Sequence, residues 1–416
     1  MIRDTPGIIA FLLLIEGGIF LLSALRPLRR LFTFLPPMFW IYFLPMMANT
    51  AGVIPRKSEV YSAISTHFLP ACLILLLVSV DLKAILRLGK TALLMMLAGS
   101  AGIILGGPIA LLLFQHWLPE GIWKGFGALS GSWIGGSANM IAVKEAIRTP
   151  DDVFLPMVVV DTIVCYSWMG LLIALSAFQG RFDRWNRSNT AVMEELNRKL
   201  STAKEAQARP MSLNHFAGML ALAAAGAWLA GWMGQGLFDL LGTWIPQWLP
   251  SVLPGSARLA GRLSRISNVM APYTWTIILA STMGILLSFT PARRLESAGA
   301  SKVGYAILYF VLAAIGARAN LAALWSAPLL IAAGVVWLLI HAACLLLAAR
   351  LLRAPMFLAV TASQANVGGP ASAPVVAAIY QPSLAPVGLL MAVLGNILGT
   401  YLGLLCSELC RLVSMI

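Results

Sequence analysis

The stretch Ile134-Gly-Gly-Ser-Ala-Asn139 and its echo Val367-Gly-Gly-Pro-Ala-Ser372, at an offset of 233 residues, decide how this chain is read. Each sets a Gly-Gly pair at the centre of a long apolar run, 122–147 and 355–380. Paired glycines interrupt a helix. In lipid an unwound backbone survives only inside protein or beside a water-filled cavity. Working outward, Pro37-Met-Phe-Trp40 is echoed by Pro272-Tyr-Thr-Trp275, and Val80–Leu86 by Ala317–Ala323, at offsets of 235 and 237. Three matches in order at nearly constant offset mark an internal duplication.

The surroundings of these runs exclude a soluble fold. Of 416 residues 59% are apolar and only 11% charged, with mean hydropathy +0.85, against about 25% charged in ordinary globular chains. The net charge of +13 sits in short connections between apolar runs, as the positive-inside rule requires. No basic cluster is interleaved with aromatics, so nucleic acid is not an expected partner and the lipid bilayer is. Apolar runs at 6–25, 35–54, 60–80, 91–117, 122–147 and 152–178 form a first membrane repeat, residues 1–178. A polar linker, 179–210, carries seven basic residues from Arg181 to Arg209. Runs at 213–240, 268–289, 303–324, 327–352, 355–380 and 384–413 form the second repeat, residues 211–416. Each is long enough for a membrane helix. The linker reads as a solvated connector, with an amphipathic helix around Ala191–Ala206 that binds the membrane surface or a partner as the alternative. The first run, Pro6 to Leu25, reads as an uncleaved span. The five cysteines, all within apolar runs, read as core hydrophobes.

Six runs per half is an even number, whereas an inverted repeat needs an odd number of crossings. The two Gly-broken runs supply the answer if each enters and leaves on one side. The expected fold is therefore an all-α polytopic membrane protein of two inverted halves. It has about ten transmembrane helices and two broken, re-entrant or discontinuous ones. The Lys and Arg bias puts the linker in the cytoplasm and both termini outside.

Uncharged hydrogen-bonding side chains cluster at the breaks: Ser130, Ser132, Ser137 and Asn139 around Gly135 and Gly136, and Ser363, Gln364, Asn366 and Ser372 around Gly368 and Gly369. Close packing through small residues explains the glycines but not the amides. The amide N–H groups opening each second half-helix favour an anion. Asp161, one run after the first break, is a carboxyl in mid-membrane and the expected H+ or Na+ site, with Asn396 in the corresponding place of the second half. Glu16, midway along the first run, is a weaker candidate on an outer helix. His67, His116, His215 and His341 have no metal-ligand spacing, and no glycine-rich phosphate loop is present. Ser130 with His341 as its base is the enzymatic alternative, a membrane serine hydrolase.

Gly131–Met140, Asp161–Gly170 and the Ser363-Gln-Ala-Asn-Val-Gly-Gly-Pro-Ala-Ser-Ala-Pro374 run resemble the YjcL-like family of uncharacterised bacterial and plastid membrane proteins, over nearly the whole chain. That family looks like part of the superfamily of cation/proton antiporters, bile-acid symporters and glutamate or citrate symporters. The resemblance implies an inverted repeat with broken helices in a transport core. The paired Asp-Asp of the proton antiporters and the Na⁺-binding Glu motif of the bile-acid type are absent. Together these features make a secondary active transporter the expected function and an ion or solute channel the runner-up. The solute is expected to be small, hydrophilic and anionic, the protein not an enzyme, the coupling ion H⁺ or Na⁺ with no other cofactor, and the setting the bacterial inner membrane, as a homodimer.

Overall fold

The computed structural model describes residues 2–28, 31–32, 37–86, 88–201, 210–252, 272–318 and 327–416. In lipid every backbone polar group must be satisfied within its own segment, so apolar runs become helices. The described residues are helical, with no strand among them. The main helices of the first half are α1 (Thr5–Ser23), α2 (Pro37–Thr50), α3 (Glu59–Val78), α4 (Gly89–Phe114), α5 (Trp123–Gly135), α6 (Ser137–Ala146) and α7 (Asp151–Ala174). Those of the second are α8 (Leu213–Asp239), α9 (Pro272–Leu287), α10 (Ala300–Arg318), α11 (Ala327–Leu352), α12 (Met356–Val367), α13 (Gly369–Tyr380) and α14 (Ala385–Val413). Polar side chains start several of them: Asp4 accepts from the Gly7 N–H, and Ser58 and Ser212 do the same for α3 and α8.

Eight of these helices are long and apolar enough to cross a membrane, and a ninth joins them if α9 and the segment Pro291–Ala298, bent by 92°, count as one span. The remaining expected crossing, 35–54, is represented by α2, whose 14 residues fall short of a span. Residues 33–36, before it, and most of the repeat match at 317–323 lie outside the described residues. Lipid-facing side chains are large and apolar, among them Leu14, Leu21 and Trp228, each at least 70% exposed.

Packing divides the helices into two bundles. α1, α2, α3, α8, α9 and α10 pack on one another, as do α4–α7 and α11–α14. Each half supplies three helices to the first bundle, and two long helices plus one broken pair to the second. The bundles meet mainly where α9 approaches α6 and α14, and where α10 approaches α7. Within the second bundle α4 and α11 approach closely: a Cβ on Gly102 would stand 2.9 Å from the His341 Cα.

Hydrogen bonds fix which chain segments share an end. Ile2 N–H donates to the Val53 carbonyl (2.8 Å), putting the N-terminus beside the α2–α3 connection. Lys124 Nζ donates to the Arg148 carbonyl and Thr149 Oγ1 to the Lys124 carbonyl, both at 3.3 Å. The broken pair α5–α6 therefore returns to the end from which it started. At the opposite end, Asn186 Nδ2 donates to the carbonyls of Ala349 (3.1 Å) and Ala354 (2.9 Å), and the Met356 N–H to Asp183 (2.9 Å). Tyr380, closing α13, donates to the Leu172 carbonyl near the C-terminus of α7 (2.6 Å). The pair α12–α13 thus starts and finishes at the linker end.

The linker is not a solvated connector along its length. Its helix Ala191–Ser201 buries Met193 and Leu196 in an apolar cluster with Leu345, Phe357 and Leu384 of the second bundle. The amphipathic pattern is a docking face. The rest of the amphipathic stretch, 202–206, lies outside the described residues.

Candidate functional site

α5 stops at Gly136 because that residue sits at φ +81° and ψ 178°, a conformation open in practice only to glycine. α13 opens at Gly369 with φ +66°. The two breaks meet: a Cβ on Gly369 would stand 3.8 Å from the Gly136 Cα. Gly135 is pressed against α14, where a Cβ would strike the Asn139 amide and the Gly395 carbonyl, and a Cβ on Gly368 would strike Gln364 and Ser372. At the junction two half-helices end and two begin, so carbonyl-rich and amide-rich termini converge at one place.

The expected polar residues divide into two sets. Ser137, Gly368, Ser372 and Asn396 are half-buried at the junction. The Asn396 Oδ1 lies 3.6 Å from the position of a Cβ on Gly136, and its side chain faces Tyr305 of α10, which belongs to the other bundle. The amides are placed differently. Asn139 is buried, donating to the carbonyls of Gly135 (2.6 Å) and Asn396 (3.2 Å) and accepting from Thr400 Oγ1 (2.6 Å). Asn366 is fully buried, accepting from Ser100 Oγ (2.8 Å) and donating to the Ala362 carbonyl (3.0 Å). Gln364 donates to Ser372 Oγ (2.7 Å), while its Oε1 is buried without a partner. Of Asn139, Gln364, Asn366 and Ser372, only Ser372 is half-buried, and the three amides are buried. Asn139 ties α6 to α14 and Asn366 ties α12 to α4, behind the junction.

Asp161 lies behind the first break, one oxygen accepting from Ser132 Oγ and the other from Trp133 Nε1, both at 3.0 Å. Two neutral donors satisfy the carboxyl and orient the last turn of α5. The same face of α7 carries Cys165, which donates to the Val367 carbonyl, and Trp168, which donates to Ser363 Oγ (2.9 Å). α7 therefore touches both breaks.

Sequence reasoning missed Tyr305, Thr400, Ser100 and the bonding of His341. His341 is fully buried, with Nδ1 2.9 Å from the Gly99 carbonyl and Nε2 3.0 Å from Ser363 Oγ. A carbonyl only accepts, so this network assigns the proton to Nδ1, and Nε2 accepts from Ser363. Ser130 donates instead to the carbonyls of Gly127 (2.7 Å) and Gly403 (3.3 Å), so the Ser130–His341 pair imagined from sequence is not formed. Among the described residues no group of three or more His, Cys, Asp or Glu side chains converges as a metal site.

Fold and junction define a polytopic all-helical membrane protein whose two Gly-broken segments meet within one of its two helix bundles. The chain belongs to the family described as "Protein of unknown function (DUF819)", which matches residues 10–413. It is similar to the uncharacterized membrane protein YjcL of Bacillus subtilis (strain 168), 25% identical over 378 residues, covering 86% of either chain.

Proposed function

We propose that this protein is a secondary active transporter of a small hydrophilic, anionic solute, coupled to H⁺ or Na⁺, and not an enzyme. The observation that carries this reading is the meeting of Gly136 and Gly369, two unwound points far apart in sequence, inside the second bundle. Backbone is left unwound at membrane depth where it lines a site. Ser137, Ser372 and Asn396 would bind the solute, with the N-termini of α6 and α13 attracting its negative charge. Asp161, held by Ser132 and Trp133, would transmit coupling-ion binding to α5. The first bundle would serve as scaffold and the second as the moving core, which few contacts between them would permit.

In this reading the halves are inverted copies. The pair α5–α6 opens toward the end that holds the N-terminus, and α12–α13 toward the linker end, as inversion requires. The superfamily of cation/proton antiporters and bile-acid or citrate symporters, a cytoplasmic linker, a bacterial inner membrane and a homodimer complete the proposal. The test is a thermal-stability screen of the purified protein against a metabolite library with and without Na⁺, followed by flux of any stabilising compound in proteoliposomes. Saturable, gradient-coupled accumulation supports a transporter. Flux that never saturates makes it a channel, and turnover of the compound makes it an enzyme.

A further inference from the structure

α1 buries one stripe, Ile8, Leu12, Glu16 and Ile19, and the three apolar members belong to the largest core cluster. The spacing is that of a helix face turned to its neighbours, here α2 and α10 with α3 beyond. Glu16 is 7% exposed and fills the slot where a leucine would continue the stripe. Among the described residues its carboxyl has no hydrogen-bond or ion-pair partner. A lone carboxyl buried at membrane depth destabilises the fold, so packing gives no reason for it.

The groups facing it are few. α10 presents Tyr309, which meets Phe20, one turn beyond Glu16 on α1, edge-on at 5.3 Å. Tyr42, the titratable residue of α2, turns instead to Phe154 and the charges of Asp151 and Arg318. On α3, Glu59 and His67 are exposed, Tyr61 donates to the Pro55 carbonyl and Cys72 to the Leu69 carbonyl. Tyr309 stacks on Tyr305 (6.3 Å), and Tyr305 faces Asn396 at the junction. A ladder of phenols therefore runs from Glu16 to the meeting point of the breaks.

We propose that Glu16 is a proton-exchanging carboxyl of the first bundle, linked through Tyr309 and Tyr305 to the junction, so that its protonation and occupancy of the junction bias one another. This rests on the transporter reading above. The step is an O–H bond formed when the carboxylate takes a proton from water and broken when it returns one. The two equilibria must then be coupled equally in both directions.

A lipophilic carbodiimide tests this without a known solute. The protonated carboxyl adds across N=C=N to give an O-acylisourea, which rearranges to a stable N-acylurea with no leaving group. Peptide mass spectrometry of the full-length protein in detergent should find the adduct on Glu16, decreasing as pH rises and absent in Glu16→Gln. Glu16→Asp should keep the adduct, and Tyr309→Phe should shift its pH midpoint with the protein still monodisperse. An unlabelled Glu16 at every pH, or labelling independent of pH, overturns the proposal, the second outcome marking a permanently protonated packing residue. A pH midpoint unmoved in Tyr309→Phe overturns the link to the junction. If labelling behaves as expected but no compound shows gradient-driven flux, the transporter reading fails and proton exchange at Glu16 stands.

Discussion

At the residue scale, hydrogen bonding separates the carboxyl and amides that hold the junction from the groups that line it. Asp161→Asn should abolish uphill uptake, and it should also destabilise. The amide has one acceptor oxygen for two donors, Ser132 and Trp133, and facing one of them with an N–H costs roughly 1–3 kcal/mol. Thermal unfolding in detergent reads this directly, and a variant as stable as the parent would show that the carboxyl is not held as described. Asn366→Ala strands the Ser100 hydroxyl and should lower stability by about 1–2 kcal/mol, the range for hydrogen bonds within membranes. Substitution at the half-buried Ser372 should spare stability more and weaken solute binding more. Sequence showed which residue types gather at the breaks but not where they point. Asn139 and Asn366 find their partners 261 and 266 residues away, at Thr400 and Ser100, beyond the reach of any local pattern. Glu16 was visible as an acid in an apolar run, yet its place on the buried stripe needed the neighbours α2 and α10.

At the scale of elements, the two glycines are not equivalent. Gly136 occupies extended space with positive φ that side chains do not enter, so Gly136→Ala should cost about 1–3 kcal/mol even with room for the methyl group. Gly369, at φ +66°, should tolerate alanine at roughly 1–2 kcal/mol. Equal losses of thermal stability would contradict this difference. Parity of the apolar runs foretold that the broken pairs turn back, and the Lys124–Thr149 contact shows the first doing so. With the native cysteines removed, single cysteines at Glu120 and Pro150 should react with an impermeant reagent from one side of the membrane, and one at Gln381 from the other. Reaction of Glu120 and Pro150 from opposite sides would exclude the hairpin. The shortness of α2 and the docking of the linker were less legible, since both depend on how a run packs rather than on its composition.

At the scale of the whole molecule, one ion network spans the two bundles. Lys144, 3% exposed at the end of α6, pairs with Glu145 (2.7 Å) and with Asp151 at the start of α7 (2.8 Å). Arg318, closing α10 in the first bundle, approaches Glu145 (3.1 Å) and Asp151 (3.3 Å). Thr274 of α9 adds a hydrogen bond to the Ala146 carbonyl (2.6 Å) at the same end. Arg318 is thus the cation by which the first bundle holds α6 and α7, and its pairs are too enclosed for salt to screen fully. Removing it leaves the Glu145 and Asp151 carboxylates facing Lys144 alone and weakens closure at this end. A loss of about 1.4 kcal/mol corresponds to a tenfold rise in the open fraction. In a cysteine-free background, a single cysteine at Ser137 should therefore react roughly tenfold faster with an impermeant thiol reagent when Arg318→Ala is added. Arg411→Ala should leave that rate unchanged, because Arg411 pairs with Glu408 on its own helix (2.8 Å). Equal rates in the Arg318→Ala and Arg411→Ala variants would mean that the network stabilises α6 and α7 without closing the path to the junction.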